Sequence, residues 1–192
     1  MADGADSGPS IEAELRKQLA AAQSITHIGS WEWTVATGAV TWSDELYRIY
    51  GLEPQSVPIT LEFFLSRIHP NERDRIGREI QSVLRHPGRF AYRELIVRPD
   101  GSVRVLDTIG EAIADEHGAT ARLVGTCCDV TEAVAREARI RFYADVFEHA
   151  EVGLSVFQLD RRGDPPALRL VAFNAATERL LAMRLKIGRA HV

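Results

Sequence analysis

The chain has 192 residues, of which 45% are hydrophobic and 26% are charged, and its formal net charge is −4. This length allows one full domain and part of a second, because domains usually span ~100 to 200 residues. The charge gives no support for a nucleic-acid partner, no apolar run approaches the ~18 residues that cross a bilayer, and the N-terminus lacks a signal peptide. We therefore expect a cytoplasmic protein without a membrane segment in this chain.

Two segments precede the first strand-like run. Residues 1–10 are rich in Gly, Ser, Asp and Pro, and are predicted to form a disordered leader. A helix is predicted over residues 11–24, because apolar side chains recur there at alternating steps of four and three. This apolar stripe is compatible with a coiled-coil dimer interface or with packing against its own domain. Its apolar positions are Ile11, Leu15, Ala22 and Ile25, and Gln18 interrupts it.

Residues 25–131 then alternate between strand-like and helical segments. Trp31 and Trp33 lie two apart in a first strand, so they share one face, and residues 40–42 form a second strand. Helical segments follow over residues 43–50, 60–65 and 70–85, each with a capping residue or a proline at its start.

Three further strands fill residues 93–129. They are separated by two turn signals, Pro99-Asp100-Gly101 and Asp115-Glu116-His117-Gly118, which are typical of hairpins because Gly takes positive φ without steric cost. A lone hairpin is marginal in water, so all five strands should share one sheet. The predicted fold class is α+β: a five-stranded antiparallel sheet covered on one face by short helices and flanked by N-terminal and linker helices.

The last strand runs directly into a helix start. Asp129 can accept a hydrogen bond from a free N–H of this helix, and Glu132 can reach back to the Asp129 N–H as in a capping box. A sheet tied in this way to an outgoing helix can transmit a change from one to the other. We therefore predict a signal relay at Asp129, Thr131 and Glu132, and a linker helix over residues 132–150.

Alternation along a strand decides which neighbouring side chains can meet. Cys127 and Cys128 should point to opposite faces, which argues against a mutual disulfide. We interpret them as small hydrophobic side chains, with a redox switch as the alternative. Arg93 should likewise face away from Tyr92 and Glu94, and pair with an acidic side chain across the sheet surface.

Together these segments resemble a PAS domain with a C-terminal Asp-Ile-Thr-Glu-type motif, as found in bacterial sensor histidine kinases and diguanylate cyclases. The resemblance covers roughly residues 25–135. It is carried by residues 29–33, 42–52, 68–73, 92–93, 98–102, 125–126 and 129–132.

The resemblance implies a sensory and dimerisation module of a multidomain signal-transduction protein, with a histidine kinase as the expected full-length protein. It implies a homodimer through the N-terminal helix and the outer sheet face bearing Trp31 and Trp33, and a downstream output domain. The alternatives are a haem- or flavin-binding redox or gas sensor, and the input domain of a diguanylate cyclase. We expect no cofactor.

In PAS domains small ligands sit between the sheet and the covering helices, so the resemblance also implies a candidate cavity. The family often carries Trp where Val105 stands, and the smaller side chain would enlarge the space. The same side chains would equally serve a packed core. The candidate lining is Phe64, Ile68, Ile76, Ile80, Phe90, Tyr92, Ile96, Val105, Ile109, Leu123 and Cys127.

A second copy of the pattern begins after the linker. Residues 152–157 echo residues 28–33, and residues 173–180 echo residues 42–49, so residues 151–185 resemble the opening of a second, truncated PAS domain. Residues 186–192 back-translate into a codon run similar to a common sequencing adapter. We therefore predict that this tail is non-native.

No catalytic residue is predicted in this chain. There is no phosphate-binding loop and no nucleophile elbow, and the six histidines lack metal-ligand spacing. His69 could in principle ligate haem iron, but its place beside Pro70 favours a structural role at a helix start.

Overall fold

The computed structural model describes residues 11–161 and 165–181. The predictions for residues 1–10 and 186–192, and for the end of the second repeat at residues 182–185, lie outside these ranges. Contacts along the chain divide it into two units, one ending at Glu132 and the other beginning at Ala133. Within the described ranges, none of the helices combines the length and the apolar character needed to cross a bilayer.

The first unit is the predicted α+β fold. Its strands form one sheet in the order β2-β1-β5-β4-β3, and each neighbouring pair is antiparallel. The helices are α1 (Ile11–Thr26), α2 (Asp44–Ile49), α3 (Leu61–Arg67) and α4 (Arg73–Arg85), with a 3₁₀ turn at Pro70–Glu72. The strands are β1 (Ile28–Thr34), β2 (Ala39–Trp42), β3 (Gly88–Val97), β4 (Val103–Ala114) and β5 (Thr120–Asp129).

The helices α2 to α4 cover one face of this sheet and form the main core with it. Buried side chains from α2 and α4 pack against alternate residues of the strands, as a period of two requires. The opposite face is exposed and carries the predicted Arg93 ion pair, whose Nε lies 2.6 Å from Asp107 Oδ1. The fully buried core side chains are Leu46, Tyr50, Ile68, Ile76, Ile96 and Leu106.

Helix α1 does not bury its apolar stripe. None of its residues is buried, and Ile11 and Leu15 are 82% and 60% exposed. Its link to the sheet is polar, because Gln23 Nε2 donates to Ser30 Oγ at 2.8 Å. The apolar stripe of α1 therefore does not pack against its own domain, which was one of its two interpretations.

The hairpin between β3 and β4 depends on a residue in the left-handed region. Gly101 has φ +81, and no heavy atom lies within 4 Å of where its Cβ would be. We therefore expect Gly101→Val to destabilise the first unit by ~1–2 kcal/mol through backbone strain alone. Gly101→Asn should cost less, because Asn tolerates this region; equal melting temperatures for the two variants would contradict this explanation.

The second unit contains the rest of the linker helix, α5 (Thr131–His149), and the elements of the second repeat. These are β6 (Ser155–Asp160), β7 (Ala167–Phe173) and α6 (Ala175–Leu181), with β6 and β7 paired antiparallel. Apolar side chains on both strands remain exposed, Phe157 by 55% and Leu168 by 70%. A two-stranded sheet has too little area to bury them.

The two repeats use the same local bonding. In the first, the backbone N–H groups of Ser30 and Leu46 both donate to Ser43 Oγ, which fixes the start of α2. In the second, the N–H groups of Leu154 and Thr177 both donate to Asn174 Oδ1 at the start of α6. The equivalence follows the alignment of residues 28–33 with 152–157, and supports the internal repeat predicted from the sequence.

Candidate functional site

A cavity of about 60 Å³ lies between the sheet and its covering helices. Its wall is mainly apolar and includes aromatic residues from strands β1 to β3 and from the helical segments. The lining residues are Trp31, Trp33, Val40, Trp42, Leu46, Tyr50, Leu61, Phe64, Ile80, Val83, Phe90, Tyr92, Glu94, Thr108, Leu123 and Cys127.

Glycines on the two central strands let aromatic rings from the flanking strands meet over the sheet. Trp31, Gly125, Gly110 and Phe90 are consecutive cross-strand partners on β1, β5, β4 and β3. A Cβ on Gly125 would lie 2.6 Å from the Trp31 ring, and one on Gly110 would lie 2.5 Å from the Phe90 ring. Without those Cβ atoms, the two ring centroids come within 6.1 Å and form the floor of the cavity.

Helix α2 supplies another part of the wall. Its N-terminus is capped by Ser43, and its apolar face presents Leu46 to the sheet. Tyr50, directly after the helix, lies with its ring centroid 4.4 Å from that of Trp42. Because Tyr50 is only 1% exposed, the end of this short helix is fixed by the cavity wall itself.

The wall contains one carboxyl group, that of Glu94 on β3. Its side chain is 1% exposed, and its Oε1 accepts a hydrogen bond from Thr108 Oγ1 at 3.1 Å. Burial away from water disfavours the charged form and raises the pKa of Glu94 to about 8. The cavity therefore contains a neutral carboxylic acid at pH 7.

Cys127 lies beside this acid. Its Sγ is 3.0 Å from Thr108 Oγ1, and it is 4% exposed. Burial raises the pKa of the Cys127 thiol, and it also raises that of Cys128. Redox-sensing cysteines need the opposite shift, since the thiolate is the reactive form. Both thiols are free, so the interpretation of them as hydrophobic side chains fits the structure better than a redox switch.

The structure brings six of the predicted lining residues together in the wall and leaves five outside it. Ile68, Ile76 and Ile96 are fully buried in the core beside the cavity. Val105 and Ile109 differ from expectation, since they lie on the opposite sheet face from Leu106 and Thr108, and Ile109 is 63% exposed. The six in the wall are Phe64, Ile80, Phe90, Tyr92, Leu123 and Cys127.

The expectation that Trp31 and Trp33 lie on the outer sheet face is wrong. Trp33 pairs with Leu123 across the strands, and directly opposed residues share a face, so Trp33 follows Leu123 toward the helices. Both tryptophans line the cavity. The spacing of two in the sequence showed that the two tryptophans share a sheet face. It did not show whether that face is the covered one or the outer one.

Sequence reasoning also missed several wall residues on the helical segments and the polar pair Glu94 and Thr108. A signal for Glu94 was present, because it shares its strand face with Tyr92. A charged residue in that position was not expected to be buried.

The residues present do not fit a haem or a flavin. Among the described residues, no histidine lines the cavity, and the ring Nδ1 of His69 instead accepts from the Asn71 N–H at the 3₁₀ turn. The volume of about 60 Å³ is far below the ~300–1,000 Å³ of pockets for drug-sized ligands. No cluster of three or more His, Cys, Asp or Glu in the described ranges is arranged to hold a metal.

At the exit of the sheet, side chains of the predicted relay bond β4 to α5. Asp129 Oδ1 accepts from the Thr131 N–H at 3.0 Å and also from the Thr131 hydroxyl. The same hydroxyl accepts from the Val105 N–H at 2.8 Å, and Val105 O accepts from the Val130 N–H at 2.9 Å. The start of the linker helix is therefore held to β4 through both the N–H and the carbonyl group of Val105.

The reciprocal half of the predicted capping box is absent. In residues 11–161 and 165–181, no hydrogen bond joins Glu132 to the Asp129 N–H; Asp129 instead pairs with Leu106 in the sheet ladder. The side-chain bonds at the exit are made by Thr131, whose hydroxyl donates to Asp129 Oδ1 and accepts from the Val105 N–H.

Arg98 connects this exit to the cavity wall. Its Nη2 lies 3.5 Å from Asp129 Oδ2, and its Nε donates to Ile49 O at 2.8 Å. Ile49 is the last residue of α2 and precedes Tyr50. A continuous set of contacts therefore runs from the cavity through the end of α2 to the start of α5, which sequence spacing did not reveal.

Comparisons with known proteins agree with this geometry. A family model described as PAS fold matches residues 39–127. The sensor protein FixL of Bradyrhizobium diazoefficiens is 27% identical over 114 residues, a match that covers 59% of this chain and 22% of FixL. The chain thus corresponds to about a fifth of that relative's length.

Two solved structures are similar in fold. A sensory box histidine kinase/response regulator from Burkholderia thailandensis E264 matches with a TM-score of 0.56 and 29% identity, covering 68% of this chain and 95% of that one. An RNA-binding light-oxygen-voltage receptor matches with a TM-score of 0.52 and 21% identity, covering 62% and 32% of the two chains. At that identity, the second match shows the fold alone.

Proposed function

We propose that this chain, which carries a PAS domain matched over residues 39–127, is the sensory input module of a sensor histidine kinase. The observation that carries the proposal is the set of contacts from Tyr50 through Arg98 and Asp129 to the first turn of α5. Support for the kinase comes from two relatives named as a sensor protein and as a sensory box histidine kinase.

The module works by coupling the cavity to the linker helix. A ligand that packs against Tyr50 shifts the end of α2, whose last carbonyl holds Arg98. Arg98 in turn is paired with Asp129, which holds the start of α5 through Thr131. A ligand biases this linkage only by the difference between its affinities for the two states.

The assembly that transmits the signal is a homodimer in the cytoplasm, linked to a downstream output domain. The exposed stripe of α1, with Ile11 and Leu15, supplies one contact. The outer sheet face supplies the other through Ile109 and Ile113, which are 63% and 38% exposed. These side chains replace Trp31 and Trp33 in the predicted interface.

The module senses without a resident haem or flavin. The small cavity and its histidine-free wall, in the part of the chain that the structure describes, support this. The absorption spectrum of freshly purified protein should lack haem and flavin bands, and either set of bands would contradict the proposal.

Asp129→Ala is expected to uncouple the cavity from the output. It removes the acceptor for the first N–H of α5 and the partner of Arg98, and lost helix caps typically cost ~1 kcal/mol. Hydrogen exchange should become faster in the first turn of α5, and autophosphorylation of the full-length protein should stop responding to its stimulus.

The control is Glu116→Ala, which removes an exposed carboxyl from the turn between β4 and β5, at the opposite end of these strands from Asp129. Its response should match that of the wild type. Asp129→Asn separates the two roles, because the amide oxygen still accepts from Thr131 while the ion pair with Arg98 is lost. A normal response in Asp129→Ala would refute the proposed relay.

A further inference from the structure

One oxygen of the buried carboxyl in the cavity has no hydrogen-bond partner. Thr108 donates to Glu94 Oε1, but within the described part of the chain Glu94 Oε2 is buried and makes no hydrogen bond. Buried polar atoms are almost always paired with protein, water or a ligand. Because Glu94 lines the cavity, the missing partner has room to be an occupant of that cavity.

The surroundings of this oxygen favour a positive charge. Seven of the lining residues are aromatic, and the faces of such rings attract cations, Trp most strongly. All three tryptophans of the chain are among them. A single carboxyl group in an aromatic wall offers an ion-pair partner, while the rings compensate part of the cost of removing a cation from water.

We propose that the cavity binds a small organic ammonium ion, whose N–H donates to Glu94 Oε2 and whose apolar body packs over Trp31 and Phe90. The inference rests on the proposed sensory function and names the chemical class of its ligand. The floor formed by Trp31 and Phe90, with their ring centroids 6.1 Å apart, gives the apolar body a surface to contact.

Among the described residues, the basic group whose charge acts on Glu94 is Arg75. Its guanidinium is already held by Glu72 and by Arg93 O, so it does not fill this role. Its charge lowers the pKa of Glu94 less than burial raises it. The ionisable groups that face Glu94 from the elements around it are Arg75, Glu72, Tyr50, Tyr92 and Cys127.

Binding is therefore coupled to the loss of a proton. The empty cavity holds Glu94 as the neutral acid at pH 7, because its pKa is raised to about 8. When the ammonium ion enters, the carboxyl proton leaves to solvent and the carboxylate remains paired with the ligand. The affinity should thus rise about tenfold per pH unit below pH 8 and level off above it.

The occupant engages the Glu94 end of the cavity only. The Trp33 indole N–H is also buried without a partner, but it lies at the opposite end of the wall. Trp33 pairs with Leu123 and Glu94 with Leu106, and two inward-facing rows of the sheet lie between these two pairs. A ligand that fits about 60 Å³ does not reach both.

The test is a titration of the full chain with ethylammonium and with ethanol as its neutral counterpart, followed by tryptophan fluorescence. We expect ethylammonium to bind at least about tenfold more tightly than the alcohol at pH 8, the advantage of a charge pair over a neutral contact. Calorimetry at pH 7 in two buffers of different ionisation enthalpy should show release of close to one proton. Methylammonium and isobutylammonium serve as a smaller and a larger probe.

Glu94→Gln is the diagnostic variant, since it keeps the shape and removes the charge. It should lose the preference for ethylammonium over ethanol, while its melting temperature shows that it is folded. Glu111→Gln, the same change on the exposed face of β4, should bind like the wild type.

Three outcomes would overturn the inference. Equal affinities for the alcohol and the ammonium ion would show an apolar site, and an affinity that stays constant between pH 6 and pH 8 would show that binding does not require loss of the Glu94 proton. No saturable signal from any ammonium probe would show that water satisfies Glu94 Oε2. None of these three outcomes contradicts the proposed relay. The relay is contradicted only if Asp129→Ala leaves the kinase response intact.

Discussion

Gly125→Ala is expected to destabilise the first unit by ~3 kcal/mol or more. The added Cβ would lie 2.6 Å from the backbone oxygen of Ile109 and 2.6 Å from the Trp31 ring. The ring could rotate away, but the carbonyl belongs to the neighbouring strand of the sheet ladder. Overpacking against a fixed backbone costs more than a rotamer change, so the melting temperature should fall by ~10 °C or more.

The matched control is Gly77→Ala in α4. No heavy atom lies within 4 Å of the position of its Cβ, and Ala is favoured over Gly in a helix interior by ~1 kcal/mol. The same chemical change should therefore stabilise the protein at residue 77 and destabilise it at residue 125. If Gly125→Ala melts like the wild type, the aromatic floor over the central strands is not as described.

Glu94→Gln should remove a large part of the dependence of stability on pH. A carboxyl group whose pKa rises from 4.5 to about 8 on folding holds its proton more tightly in the folded state. Its contribution to stability is complete below about pH 4.5 and is lost as the pH rises through about 8. The loss approaches ~5 kcal/mol at alkaline pH.

The measurement is urea unfolding of the wild type and the variant at pH 5 and pH 9. The wild type should lose several kcal/mol more between these pH values than Glu94→Gln does, on the order of the ~5 kcal/mol limit. The buried amide of the variant has its own cost, but that cost does not change with pH. Glu111→Gln should retain the pH dependence of the wild type, and equal slopes for Glu94→Gln and wild type would show that Glu94 is ionised in the folded protein.

The order of elements in the first unit was predictable because its signals are local. The Asp-Gly turns, the capping residue Ser43 and the proline at residue 70 each act within a few residues, and the structure has an element boundary at each. The resemblance to the PAS family was also predictable, since its motifs occur at matching spacing, and a family model described as PAS fold matches residues 39–127.

The inward face of β4 was not predictable. Val103, Val105 and Ile109 make one face of the strand look more hydrophobic, yet Thr108 and Leu106 face the core. Large rings from the flanking strands fill part of the space above the sheet, and the central strands carry glycines beneath those rings. A pattern that counts only hydrophobicity along one strand does not contain this cross-strand packing.

The sequence by itself determined the α+β class, the strand and helix order, the hairpin turns and the polar exit of β5 at Asp129. These follow from backbone preferences and hydrogen bonds between residues close in the chain. Only the tertiary structure decided which sheet face is covered and that Glu94 is buried. It also decided that Arg98 joins the end of α2 to Asp129, which lies 31 residues after Arg98 in the chain. Such features depend on contacts between distant segments, whose register and desolvation arise only when the sheet and helices pack together.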